Sequence, residues 1–250
     1  MARGDELPAR ERELEIGEIA AALIEAPGEQ LLFLARDDVR AAAIADAARE
    51  GGGERKVFLL PGSDALPGDE APASPAVAGQ RTAALRHLHD ALGEGKAVLL
   101  VSTGEAAGRL VADPKAYAAK PPLLEVGQAL DPEDFRKTAL KLGYVEDDRV
   151  DEPGEVAIRG GVIDIFPGDS HGPARIEVVD GTITALRAYD PLTQLSTEDR
   201  ERLEIGIVTE PRAAGGVALA EHLPDAAIAV EHGADRDRKS TRLNSSHTDI

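Results

Sequence analysis

The first 120 residues alternate between helical periodicity and short unbroken apolar runs. Leu14, Ile16, Ile19, Ala20, Leu23 and Ile24 recur at helical spacing across residues 10–26, and Pro27-Gly28 ends that pattern. QLLFLA (30–35) follows as a continuous apolar run, which marks a strand covered on both faces, as in a parallel sheet. Asp37 or Asp38 can cap a helix over 39–50, closed by Gly51-Gly52-Gly53. KVFLL (56–60) predicts a second strand, and a Pro/Gly/Asp-rich loop occupies 61–75. Ser74-Pro75 opens a helix to about Leu92 with Val77, Ala84, Leu85, Leu88 and Leu92 inward. KAVLLVS (96–102) predicts a third strand, with Ser102 and Glu105 in a capping-box pattern for a short helix. Strand and helix alternating three times is an α/β signature.

The pattern changes at Pro121-Pro122. LLEV (123–126) is short and apolar, Asp131-Pro132 starts a helix ending at Gly143, and strands and turns are expected from Tyr144 to about Val208. Four of these runs are near period two: Glu155 to Ile158, Val162 to Phe166, Arg175 to Val179 and Thr182 to Tyr189. Gly160-Gly161 and Pro167-Gly168 separate the earlier ones, and Asp180-Gly181 predicts a type I′ hairpin because both central residues need positive φ. In an antiparallel sheet of these runs, Ile176 and Val178 point to one face and Arg175, Glu177 and Val179 to the other; Arg159 falls on the polar phase of its own run. LEIGIV (203–208) is the candidate strand returning to the first domain. The expected organisation is an α/β domain over 1–122, an α+β insert over 123–206 and a return segment over 207–236. Residues 237–250 (DRKSTRLNSSHTDI) lose all apolar periodicity and are expected to be a non-native tail.

Composition narrows the function classes. The net charge of −18 argues against a general nucleic-acid coat, although a local basic patch remains compatible with it. The chain has no cysteine, which removes disulfides, thiolate metal sites and a cysteine nucleophile. No apolar run reaches membrane-spanning length, so a cytoplasmic protein without membrane partners is expected. An α/β layer invites a search for a phosphate-binding loop, but G-x-x-x-x-G-K-[ST] does not occur. Gly93-Glu94-Gly95-Lys96 precedes a strand rather than opening a helix and is read as a turn. G-x-G-x-x-G and G-x-S-x-G are also absent.

Other candidate chemistry is sparse. His87 and His89 diverge by about 200° on a helix and would not share a metal; the other histidines stand singly. Asp164, between Ile163 and Ile165, is expected outward or bonded to a turn, and Arg187 could pair with Asp190. No catalytic residue, cofactor-binding residue or metal ligand is therefore assigned. Arg159 and Arg175 read equally well as solvated strand residues or as docking residues, arginine being favoured where planar contacts to carboxylates are made.

The run GYVEDDRVDEPGEVAIRGGVIDIFPGD, followed by PARIEVVDGTITALRAYDPLTQLS, resembles a domain shared by bacterial transcription-repair coupling factors and the excinuclease subunit UvrB. Upstream, LLPGSDALPGDEAPASPAVAGQRTAALRHL is similar to the coupling factors, and the resemblance covers about residues 12–210. It implies a degenerate helicase-like (RecA-like) parallel layer, inactive as an ATPase, carrying an inserted UvrB-like antiparallel domain that binds UvrA. Carried over by motif, the partner-binding positions are Arg159, Arg175 and Val179, where Val179 departs from the family's aromatic residue. The chain would be an N-terminal portion. Modules for RNA polymerase and double-stranded DNA, with their ATP and magnesium, would lie further on. The alternatives are the front part of UvrB itself, which should carry a phosphate-binding loop, or another α/β nucleotide-binding enzyme.

Overall fold

The computed structural model describes residues 9–65, 72–211, 216–231 and 247–249. In chain order it runs α1 (Ala9–Glu25), β1 (Gln30–Ala35), α2 (Asp38–Glu50), β2 (Lys56–Leu59), α3 (Pro75–Gly93), β3 (Val98–Thr103) and α4 (Gly104–Gly108). Then come β4 (Leu123–Glu125), α5 (Pro132–Lys141), β5 (Val145–Glu146), β6 (Glu155–Arg159), β7 (Val162–Ile165) and β8 (Ala174–Val179). The chain closes with β9 (Thr182–Tyr189), β10 (Ser196–Arg200), β11 (Arg202–Glu204), β12 (Ala227–Val230) and β13 (His247–Asp249). Among the described residues it is a mixed α/β structure with one parallel sheet, one mainly antiparallel sheet and a two-stranded antiparallel pair. Two compact units are present, one drawing on residues 1–62, 84–116 and 213–250, the other on 63–83 and 117–212.

The first unit is built on a five-stranded parallel sheet in the order β13-β12-β1-β3-β2. Leu31, Phe33 and Ala35 of β1 and Leu99 and Val101 of β3 pack against Ala41, Ile44, Ala45 and Ala48 of α2 and Ala20 and Leu23 of α1. The opposite phase, Leu32, Leu34 and Leu100, is buried too. That two-sided burial explains why these strands read as unbroken apolar runs. Asp37 caps α2, its carboxylate accepting from the Arg40 N–H at 2.8 Å. Glu94 and Gly95 form a turn directly after α3, with Gly95 at positive φ.

Two sequence expectations shift here. The cap of α4 is Thr103, whose Oγ1 accepts from the Ala106 N–H, while the Ser102 hydroxyl donates to the Leu60 carbonyl. The strand runs one residue further than its apolar pattern, moving the cap with it. The strand beside β1 is β12, not residues 203–208. β11 pairs antiparallel with β4, and Leu203, Ile205 and Val208 enter the core of the second unit. Alternation with Glu204 and Gly206 suits a strand buried on one side, whereas the uninterrupted AIAV of β12 suits the middle of a parallel sheet. Residues 237–246 and 250 of the suspected tail lie outside the described residues, and β13 lies beside β12.

The second unit contains a six-stranded sheet in the order β10-β9-β8-β7-β6-β5, antiparallel except between β5 and β6. Its core face collects Val156, Ile163, Ile165, Ala174, Ile176, Val178, Ile183 and Leu186 against Phe135 and Ala139 of α5. Asp180 and Gly181 have φ of 50° and 73° between the paired residues Val179 and Thr182, the predicted I′ hairpin. β9 carries a bulge between its pairings to Glu177 and Val178. Ile183 and Leu186 can therefore both face the core despite a spacing of three.

Candidate functional site

Because neighbouring strands are in register, residues on the second face of this sheet form rows. One row crosses five strands: Ala157, Asp164, Arg175, Arg187 and Asp199. At its centre the Arg175 guanidinium grips Asp164 with a two-pronged contact, Nε to Oδ1 at 2.7 Å and Nη2 to Oδ2 at 2.9 Å. The same guanidinium lies 5.0 Å from the centroid of the Tyr189 ring. The Tyr189 hydroxyl in turn donates to the Val150 carbonyl at 3.0 Å. Hydrogen bonding to Asp164 holds the Arg175 pKa above its ordinary value, and burial, then the nearby Asp164 charge, pushes the Tyr189 phenol up.

Arg159 sits differently. Its Nη1 lies 3.5 Å from Asp164 Oδ2, and its side chain is 54% exposed against 26% for Arg175. Val179 is 56% exposed, on the same face as Arg175 by strand alternation, and Val162 is partly exposed one strand away. Arg187 is bonded to Glu177 and, at 3.0 Å, to Asp199. Beside Arg159 a shallow groove along β6 is lined by Glu146, Asp147 and Asp148. The face therefore offers one well-exposed guanidinium, a second one fixed in plane by its own carboxylate, and exposed valines, within an acidic surround.

Two side-chain expectations are corrected. Asp164 is not outward: it is 2% exposed. This face is not uniformly wet, because Val150, Ala157 and Phe166 form a small apolar cluster on it. Arg187 does not pair with Asp190. The Asp190 carboxylate instead accepts from the Leu192 and Thr193 N–H groups, closing the turn after β9. What the sequence missed is the pairing of Asp164 with Arg175. The only available signal was a charged residue inside VIDI, and its partner became visible only with the β7/β8 register.

The end of β1 is the other place where an α/β layer could hold a ligand. Here the chain supplies its own anions. Asp37 caps α2, the Asp38 carboxylate accepts from the Gly62 N–H at 2.8 Å, and Glu231 accepts from the Arg36 N–H at 3.0 Å. Glu231 also pairs with the buried Arg40. A phosphate arriving at this helix start would meet three carboxylates where it needs open N–H groups.

In the same unit, His89 Nε2 lies 2.8 Å from His222 Nδ1, and His222 Nε2 lies 2.9 Å from the Ala112 carbonyl. Read one at a time, neither histidine announced this contact, which spans 133 positions. Among the described residues, no group of three or more His, Asp or Glu side chains is placed to hold a metal, and no helix is long and apolar enough to cross a membrane.

Residues 123–210 match the family model described as the UvrB interaction domain, and this span lies within the second unit. Over 157 residues the chain is 31% identical to the transcription-repair-coupling factor of Bacillus subtilis (strain 168), covering 63% of this chain and 13% of that protein. It is 29% identical over 151 residues to the transcription-repair-coupling factor of Myxococcus xanthus, covering 60% of this chain and 12% of the relative. The transcription-repair-coupling factor of Staphylococcus aureus (strain USA300) is 38% identical over 82 residues, 33% of this chain and 7% of the relative. These matches thus take in only a small part of each relative's length.

Proposed function

We propose that this chain is the N-terminal recruiting portion of a transcription-repair coupling factor, and that its second unit binds UvrA where RNA polymerase has stalled at damaged DNA. The observation that carries the reading is the exposed Arg159, fixed Arg175 and exposed Val179 on one sheet face, inside the span that matches the UvrB interaction domain. Exposed arginine beside apolar side chains is a common make-up for the energetic centre of a protein interface. The parallel layer is read as a degenerate helicase-like domain that neither binds nor hydrolyses ATP. The carboxylates of Asp37, Asp38 and Glu231 at the α2 start support that view and weigh against a UvrB-type ATPase. Contacts to RNA polymerase and DNA, and ATP with magnesium, are assigned to further modules of such a protein. The reaction would be cytoplasmic.

The test is a binding assay with purified UvrA. An Arg159→Ala/Arg175→Ala double variant that stays folded should retain less UvrA than the parent, and equal retention would sink the reading. The enzyme alternative is checked by thermal shift. Millimolar ATP with magnesium should leave the melting temperature unchanged, whereas a nucleotide-binding domain would be stabilised by its ligand.

A further inference from the structure

Asp164 is a buried carboxylate at the centre of a face that the proposed function uses for binding. Burying an ion pair often contributes no more stability than well-packed apolar side chains of the same volume would. Its effect on geometry is clearer. The fork from Arg175 takes up both Oδ1 and Oδ2, and Oδ2 also faces the Arg159 guanidinium. One carboxylate thus orients two cations on the two strands that flank its own and offsets part of their mutual repulsion. Arg175 is clamped from a second direction by the Tyr189 ring, which is itself tied to Val150. A long side chain immobilised before a partner arrives does not lose that freedom on binding.

Resting on the UvrA reading above, we infer that Asp164 is the positioning residue of the interface: it presets Arg175, and with it Arg159, for carboxylates of the partner. The geometry also says what each arginine presents. Asp164 takes the Nε–H and one Nη2–H of Arg175, which leaves the second Nη2–H and both Nη1–H groups for acceptors on the partner. Arg159 approaches Asp164 through Nη1 at 3.5 Å and its side chain is 54% exposed, so its guanidinium can take a two-oxygen contact.

The experiment measures the affinity of the full chain for purified UvrA with Asp164→Asn, Arg175→Ala, their double variant and Arg175→Lys, with thermal melts as a folding check. Asp164→Asn and Arg175→Ala should each weaken binding by about tenfold or more, as expected when one partner of a hydrogen-bonded charge pair is lost. In the Arg175→Ala background, Asp164→Asn should have a clearly smaller effect than in the parent, the remainder running through Arg159, because residues acting through one contact are not additive. Arg175→Lys keeps the charge without the fork and should bind as weakly as Arg175→Ala. That last comparison remains decisive if Asp164→Asn fails to fold. Arg175→Lys binding like the parent would overturn the inference, as would an Asp164→Asn effect of equal size in both backgrounds. Arg175→Ala weak with Asp164→Asn unaffected removes the inference alone. Arg175→Ala binding like the parent removes the UvrA reading and the inference together.

Discussion

Arg159 and Arg175 have the same side chain and different physical roles. Removing Arg175 leaves Asp164, at 2% exposure, with only the more exposed Arg159, 3.5 Å away, as counter-charge. Arg175→Ala should therefore cost about 2–3 kcal/mol in a urea unfolding series, somewhat below the usual penalty for breaking a buried pair because Arg175 is partly exposed. Arg159→Ala should stay within about 0.5 kcal/mol of the parent, as surface substitutions do. A second residue-scale prediction concerns the β6–β7 turn. A Cβ on Gly161 would lie 2.3 Å from the Val178 carbonyl oxygen, a backbone atom that also accepts no retreat because Val178 N–H bonds to Gly161 O. Gly161→Ala should destabilise by about 2 kcal/mol or more, read from the same unfolding series. Alternation alone put Arg175, Glu177 and Val179 on one face correctly, since side-chain direction in a strand is a local property. The Asp164–Arg175 grip was not legible, because it depends on which residues of β7 and β8 stand opposite each other.

At the scale of elements, helix starts were the most legible features. Asp37 and Asp131 each accept from the N–H three residues on, as short acidic side chains before a helical pattern predict. Strand identity held where both faces are covered and failed at 203–208, where the apolar residues served another sheet. Contacts between elements were not legible, and the His89–His222 pair is the main case. The Ala112 carbonyl can only accept, so His222 Nε2 carries a hydrogen; in the neutral ring its Nδ1 then accepts from the His89 Nε2–H. Burial lowers both pKa values below 6.5, opposed by Asp90 at His89 and by the Ala112 hydrogen bond at His222, where Asp113 and Glu221 also stand nearby. The unfolded chain then takes up these protons first. The pair's contribution is complete above about pH 6.5 and is lost as the pH falls below it. Unfolding midpoints between pH 7.5 and 5.5 should fall more steeply for the parent than for a His89→Gln/His222→Gln variant.

At the scale of the molecule, the second unit is discontinuous in sequence. The family match spans 123–210, yet residues 63–83 complete the same unit. The buried Arg81 pairs with Glu210, Thr82 donates to the Thr209 carbonyl, and a Cβ on Gly79 would lie 2.8 Å from Gly168 backbone atoms. A fragment of residues 117–212 should therefore show faster amide exchange around Gly168 and Thr209 than the full chain. The charge of −18 and the change from an α/β to an α+β pattern were readable from the sequence, but this interleaving was not, because the boundary at 83/84 falls inside the continuous helical pattern of α3. The closed start of α2 has a consequence of another sort. Freeing it for a phosphate would require removing Asp37, Asp38 and Glu231, and each is engaged elsewhere: one caps a helix, one holds Gly62, and one neutralises the buried Arg40. Every single step along that route lowers stability before any ligand can offset it. For selection acting one substitution at a time, nucleotide binding at this helix is a valley away rather than a step.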